Sequence, residues 1–331
     1  MGKQARKARR AAGPRVQAAD AMRLVELGRM CARPAEGDLW RRVATVVDAW
    51  DIDRVVARAD PDLVGALVTT DRDCEPPPDC LQRFPFQSLA VSLPDEGGEP
   101  ARCPGFFVAG LRWAANGVGA NGESIGLARP VPIPEADGVE IVWPLADLDP
   151  DPPMVGAHRL TWWFQENPTA NGGSINDLIT RLRDRNPGFD PAYDHQIPLA
   201  VLVLLYLCAT EPDLDEIPPQ RLVRPQPLQG AEVHNLGWRV GAQLRAALAL
   251  RSGGEGTGGW SVAPHMRSAH FRRSRIVARD GQRIVGTIQG AYGTDWHYRL
   301  NWMAPTPVNC GPDGPAEAVR PIGPRSPGRG A

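Results

Sequence analysis

The chain has 331 residues, with 37 basic and 38 acidic side chains and a formal net charge of -1, so no global field draws it to nucleic acid or to an anionic membrane. Gly 35 and Pro 34 make up about a fifth of the sequence, below the level that marks low-complexity disorder, and the length allows a core without disulfide staples. Lys3 and Lys7 are the only lysines, which excludes a P-loop, a kinase strand lysine and a Schiff-base amine within the folded body.

From the N-terminus, residues 1–14 read as a disordered basic arm (Lys3, Arg6, Lys7, Arg9, Arg10) with no apolar segment of the secretory kind. Residues 15–73 read as a helical region. Val16, Ala19, Met22, Val25 and then Trp40, Val43, Val47, Trp50 recur at helical spacing, and Asp60 with Pro61 starts a further short helix. After the prolines at 76–78 the period changes. Phe86–Leu93, Gly105–Trp113, Val139–Trp143 and His158–Phe164 are short apolar or alternating runs between Gly, Pro, Asn and Asp, the pattern of strands in an antiparallel or mixed sheet.

Helices return at Ser174–Arg185, with Ser174 as cap and Asp177 at the third helical position, and at Ala192–Ala209, apolar on all sides and therefore the central buried helix. Its apolar run, Leu199–Ala209, is too short to cross a bilayer. Ala231–Arg251 is expected as one more helix, stopped at Gly253 and Gly254. Trp260–Val308 reads as β structure, with Gly281 turning a hairpin between Arg275–Ala278 and Arg283–Ile288, and 311–331 as a disordered Pro/Gly tail. The expectation is an α+β fold: N-terminal helices, central sheet, buried helix and C-terminal β-rich segment, with residues 74–310 forming the body.

Three motif-like features carry little chemistry. Gly117, Gly119 and Gly122 match the dinucleotide pattern, and Gly122, Ser124 and Gly126 match a nucleophile elbow. Both need a helix immediately afterwards, and Pro130, Pro132 and Pro134 follow instead, so the segment is read as a hairpin loop. The cysteines at 31, 74, 80, 103, 208 and 310 form no C-x-x-C pair, which fits a reduced, cytoplasmic protein.

The C-terminal histidines are the candidate site. If 264–272 is extended, His265, Arg267 and Phe271 share one face while Met266, Ser268, His270 and Arg272 share the other, so His265 and His270 cannot chelate one metal without a bulge. In 295–303, Trp296, Tyr298, Leu300 and Trp302 alternate with His297, Arg299 and Asn301, an apolar face backed by a polar one. That polar face is either a solvated surface or a recognition surface.

Five blocks carry a resemblance: Leu204–Leu214, Leu222–Pro225, Gly237–Gly241 with Arg245, Pro264–Phe271 and Leu300–Asn309. In this order they resemble a family, widespread on phages and other mobile elements, that includes a type V-A anti-CRISPR inhibitor. The similarity spans roughly 199–311, with weaker stretches at Phe86–Leu93 and Pro104–Val108.

The resemblance implies a non-catalytic, protein-binding regulator that lowers production of a CRISPR effector nuclease by recognising its nascent peptide, with loss of its message. It implies a protein or nascent-peptide target, association with the ribosome or mRNA, and no membrane partner, metal or small-molecule cofactor. His265, Arg267, His270, His297, Trp302 and Asn309 are the expected binding residues, grouped in one C-terminal sheet. Where the family places a further His, this chain has Arg272, and a longer stretch, Ser274–Thr294, precedes the last strand. The alternative is an RNA-directed hydrolase of ribonuclease type using the C-terminal His/Arg cluster.

Overall fold

The computed structural model describes residues 13–32, 38–76, 80–94, 103–118, 124–131, 133–147, 154–163, 173–186, 194–209, 212–216, 231–251, 265–276, 286–289 and 295–308. Residues 1–12 and the Pro/Gly tail, both expected to be disordered, lie outside these residues, whereas Gly13 and Pro14, expected within the disordered arm 1–14, open a helix. Helix α1 (Gly13–Cys31) and α2 (Asp38–Asp53) are followed by β1 (Val55–Ala59) and α3 (Pro61–Val68). Next come β2 (Ser88–Ser92), β3 (Gly105–Val118), β4 (Ser124–Val131), β5 (Gly138–Asp147) and β6 (Met154–Trp163). Then follow α4 (Ile175–Arg185), α5 (Gln196–Cys208), β7 (Leu214–Glu216), β8 (Glu232–Leu236) and α6 (Trp238–Arg251). The C-terminal part holds β9 (His265–Arg267), β10 (His270–Ile276), β11 (Gly286–Gln289), β12 (Asp295–Met303) and β13 (Thr306–Val308).

The large sheet runs β6-β5-β3-β2-β1-β8-β7, with β4 paired to β3. It is mixed: β1 pairs in parallel with both β2 and β8, and the remaining pairings are antiparallel. Helices cover both faces. Leu24, Val43, Val46 and Trp50 of α1 and α2 pack on Val56, Ala90, Phe107 and Val233, while α3, α4 and α5 pack on Ala57, Leu89, Phe106 and Ile141. The fold is α+β.

Two sequence expectations are corrected here. The N-terminal third is not all helical, because Arg54 adopts a left-handed φ of 54° that ends α2, and Val55–Ala59 becomes the central strand, buried along its whole length. The indole Nε1 of Trp50 donates to the Val55 carbonyl at 2.7 Å and fixes that junction. Likewise Ala231–Arg251 is not one helix: Glu232–Leu236 is a strand, and Gly237 turns the chain into α6. Gly237 has φ +81°, and a Cβ there would lie 2.2 Å from Leu63 Cδ2, so only glycine fits.

Other expectations hold. Ser174 and Asp177 form a reciprocal capping box on α4. Every residue from Ile197 to Cys208 is buried, because α5 lies between the large sheet and the C-terminal strands. Strands β3 and β4 pair as an antiparallel hairpin with Val118 opposite Ser124, so Ser124 opens a strand and no helix follows the glycines, as the prolines implied.

Candidate functional site: the C-terminal sheet and the ends of the parallel strands

Strands β10, β12 and β11 form a separate three-stranded sheet in that order. The expected β10–β11 hairpin at Gly281 is corrected, since both strands pair with β12 lying between them; Gly281 itself lies outside the described residues. The inner face of this sheet is apolar. Phe271 and Leu300 are buried, and Trp302, opposite Phe271, sets its ring 5.2 Å from Tyr206 in an edge contact. The indole N–H of Trp302 points at Thr70 Oγ1, 3.3 Å away. Asp71 N–H donates to the Ala269 carbonyl at 2.8 Å, and Arg273 lies 3.5 Å from Glu75. The sheet is thereby held on α5 and on the end of α3.

The alternation that buries Phe271, Leu300 and Trp302 turns the intervening residues outward. Opposed pairs on this outer face are His270 with Met303, Arg272 with Asn301, and Ser274 with Arg299, and His297 shares the face. Asn301 Nδ2 donates to Ser274 Oγ at 3.0 Å, and His270 Nδ1 lies 3.4 Å from the Ser268 carbonyl. Arg299 Nε is buried and has no hydrogen-bond partner among the described residues. The result is a cationic, hydrogen-bonding face on a rigid support.

The six expected site residues do not share one sheet. His265 and Arg267 belong to β9, which among the described residues pairs with β13 in a two-stranded ribbon, His265 opposite Val308 and Arg267 opposite Thr306. The strand breaks at Ser268 and Ala269 because Ala269 is buried and its carbonyl is drawn to Asp71. Asn309 lies outside the described residues. His270 and His297 are on the outer face of the three-stranded sheet, and Trp302 points to the opposite, inner side. No group of three or more His, Cys, Asp or Glu among the described residues could hold a metal ion.

Sequence reasoning missed a second polar cluster, where β1 and β8 end. Asp60, fully buried, caps α3 by accepting from Asp62 N–H at 2.9 Å. Arg245 of α6 binds both Asp60 carboxylate oxygens, at 3.1 and 3.0 Å, and also Asp62. Burial pushes the Asp60 carboxyl above its ordinary pKa, and the Arg245 hydrogen bonds and charge oppose that shift. Gly241 admits this arrangement, since a Cβ there would lie 2.1 Å from Asp60 Oδ1.

Asp213 performs the matching task for α6. Its Oδ2 accepts from the backbone N–H groups of Arg239 (2.6 Å) and Val240 (2.9 Å), and its Oδ1 from Arg239 Nε (2.6 Å). Its own N–H donates to the Tyr206 hydroxyl at 3.1 Å. On β1, Arg58 Nη2 donates to Asn235 Oδ1 at 2.7 Å, and its guanidinium lies 5.0 Å from the Trp238 ring centroid. The blocks Leu204–Leu214 and Gly237–Gly241 with Arg245 thus meet in space at one edge of the sheet. The available signal was those spaced blocks, but nothing local in sequence pairs Asp60 with Arg245.

Among known proteins, the crystal structure of AcrVA2 is similar at 15% identity, with a TM-score of 0.42, over 84% of this chain and 77% of that one. No curated protein matches the chain. The profile of the AcrVA2-like family, described as the anti-CRISPR type V subtype A2 family, matches residues 57–310, a stretch containing the large sheet from β1 onward, the buried helix and the C-terminal strands. The chain belongs to the AcrVA2-like anti-CRISPR family.

Proposed function

We propose that this chain is an anti-CRISPR protein that lowers production of a CRISPR effector nuclease by binding the nascent effector peptide through the outer face of the β10-β12-β11 sheet. Family membership supports the anti-CRISPR role. The observation that carries the choice of surface is the pairing of opposites across one thin sheet. Phe271, Leu300 and Trp302 fix its inner side, leaving His270, Arg272, His297, Arg299 and Asn301 on the opposite face in fixed register, with Arg272 exposed. Such a face suits a carbonyl-rich or acidic peptide segment. In this reading His265 and Arg267 of the β9/β13 ribbon, together with Asn309, extend the same recognition surface, and Trp302 supports it by holding the sheet on Tyr206 from the inner side. The protein acts by capture at the ribosome in the cytoplasm, the message being lost as a consequence, and it needs no cofactor.

The test is co-expression with a type V-A effector, reading effector protein and message together. The intact chain lowers both, and Arg272→Ala with Arg299→Ala restores both by about tenfold or more while the variant stays folded. Capture of the effector's N-terminal peptide by purified chain supports binding. Cleavage of purified effector message by the chain alone would replace this reading with the hydrolase.

A further inference from the structure

The β10-β12-β11 sheet is hydrogen-bonded as a unit of its own, so side chains and a few crossing bonds set its orientation on the body. Phe271 and Leu300 join the apolar cluster around α5. Burial of that kind attracts without direction, whereas a hydrogen bond is directional. Two consecutive residues just past α3 supply such bonds. The Thr70 hydroxyl donates to the Ala66 carbonyl at 2.9 Å and accepts from the Trp302 indole N–H at 3.3 Å. The Asp71 N–H donates to the Ala269 carbonyl at 2.8 Å, and Asp71 forms a parallel bridge with His270.

The two grips meet one corner of the sheet, because Trp302 stands opposite Phe271 and Met303 opposite His270. Thr70 holds β12 there, and Asp71 holds the entry to β10. Asn301 directly precedes Trp302, Arg272 directly follows Phe271, and these two face each other on the outer side. Turning the Trp302 ring about the axis of β12 therefore carries the neighbouring outer row with it.

Packing alone does not call for a hydroxyl at position 70. Thr70 is 4% exposed, and a valine has the same branched shape. A buried hydroxyl costs free energy unless its hydrogen bonds are made. Donation to Ala66 commits the proton to α3, so the oxygen turns a lone pair to the indole. One stiff side chain thus joins the last turn of α3 to β12.

We infer that Thr70 is a positioning residue of the recognition surface: by fixing the Trp302 indole it sets how the outer row of Arg272 and Asn301 is presented to a bound peptide. Thr70 acts through Trp302 and does not touch the peptide. The inference rests on the outer face being the peptide-binding one, and adds the residue that orients it.

The test uses the full chain and a synthetic peptide of the effector's N-terminal segment, read by equilibrium binding and by the amide NMR signals of Arg272 and Asn301. Thr70→Val should weaken peptide binding by about fivefold or more, and Thr70→Ser, which keeps the hydroxyl, should bind within about twofold of the parent. Trp302→Phe removes the same bond from the other side, so Thr70→Val together with Trp302→Phe should bind no more weakly than the weaker single variant. The two amide signals should move in Thr70→Val and return in Thr70→Ser. If Thr70→Val does not fold, Trp302→Phe decides by the same two readings. The inference is overturned if folded Thr70→Val keeps the parent's affinity and amide signals while only its unfolding temperature falls, or if the losses in the double variant add. Should the parent fail to bind the peptide, or Arg272→Ala bind it equally well, the reading of the outer face falls, and the amide signals alone decide whether Thr70 positions the row.

Discussion

Arg245 Nη1 lies 3.1 and 3.0 Å from the two carboxylate oxygens of Asp60, a residue 185 positions earlier in the chain. The contact clamps α6 to the start of α3, with Asp60 fully buried and the Arg245 side chain 45% exposed. Removing Arg245 leaves a buried carboxylate without its counter-charge. A lost partner in a fully buried pair costs about 3–5 kcal/mol, but water reaches this arginine, so Arg245→Met should cost about 2 kcal/mol at pH 7. The sign with pH follows from burial. Because the folded Asp60 has a pKa above 3.8, its ionisation removes stability as pH rises from 3.8 through that raised value. The variant should lose more over this window, so its deficit should grow from acid to neutral pH. Urea unfolding at several pH values checks this, and a deficit that does not change with pH would refute the assignment.

A capping box should show the reverse dependence. The Ser174 backbone N–H and hydroxyl both bond to Asp177 and hold its carboxyl below 3.8. Its contribution is present at and above pH 3.8 and fades as pH falls below that value through the lowered folded pKa. Asp177→Asn should therefore be less stable than the parent at pH 7 and converge with it under strongly acidic conditions.

Two glycines should respond in opposite directions. Gly65, exposed within α3, has nothing within 4 Å of a built Cβ, so Gly65→Ala should stabilise by about 0.5–1 kcal/mol through helix propensity alone. Gly237→Ala meets both a φ of +81° and Leu63 at 2.2 Å, and should destabilise by about 2–4 kcal/mol from strain and overpacking together. Calorimetry on the two variants reads the contrast.

The two faces of the C-terminal sheet should separate under mutation. Trp302→Ala removes the contact with Tyr206 and the bond to Thr70, and because the ring is only partly buried it should cost about 2–3 kcal/mol. Arg272→Ala, on the exposed side, should change stability by no more than about 0.5 kcal/mol while reducing the lowering of effector levels. A large stability loss from Arg272→Ala would make that residue structural.

Two thiols, Cys31 buried and Cys103 partly buried, should be inert in the native protein. Burial pushes the Cys31 thiol up to about 11 and desolvation takes Cys103 to about 12, so neither forms appreciable thiolate at pH 8. Iodoacetamide should label both only after denaturant is added, as read by peptide mass spectrometry.

By itself, the sequence determined what depends on local periodicity and local hydrogen bonding. The all-round apolar stretch around Leu199–Cys208 could only be a helix enclosed on every side. Ser174 and Asp177 stand at capping-box spacing, prolines after Gly122 forbade a helix there, and alternation in 296–302 separated Trp302 from His297 and Arg299. Tertiary structure decided the rest. Val55–Ala59 and Glu232–Leu236 are short parallel strands, and β1 is buried along its whole length, so neither shows the alternation that marks a half-buried strand. The break between Arg267 and His270 depends on where Asp71 sits. The contacts of Asp60 with Arg245, Asp213 with Arg239 and Arg58 with Asn235 join positions that have no common local pattern, because a charge buried at a strand end finds its partner only when the sheet has brought distant elements side by side.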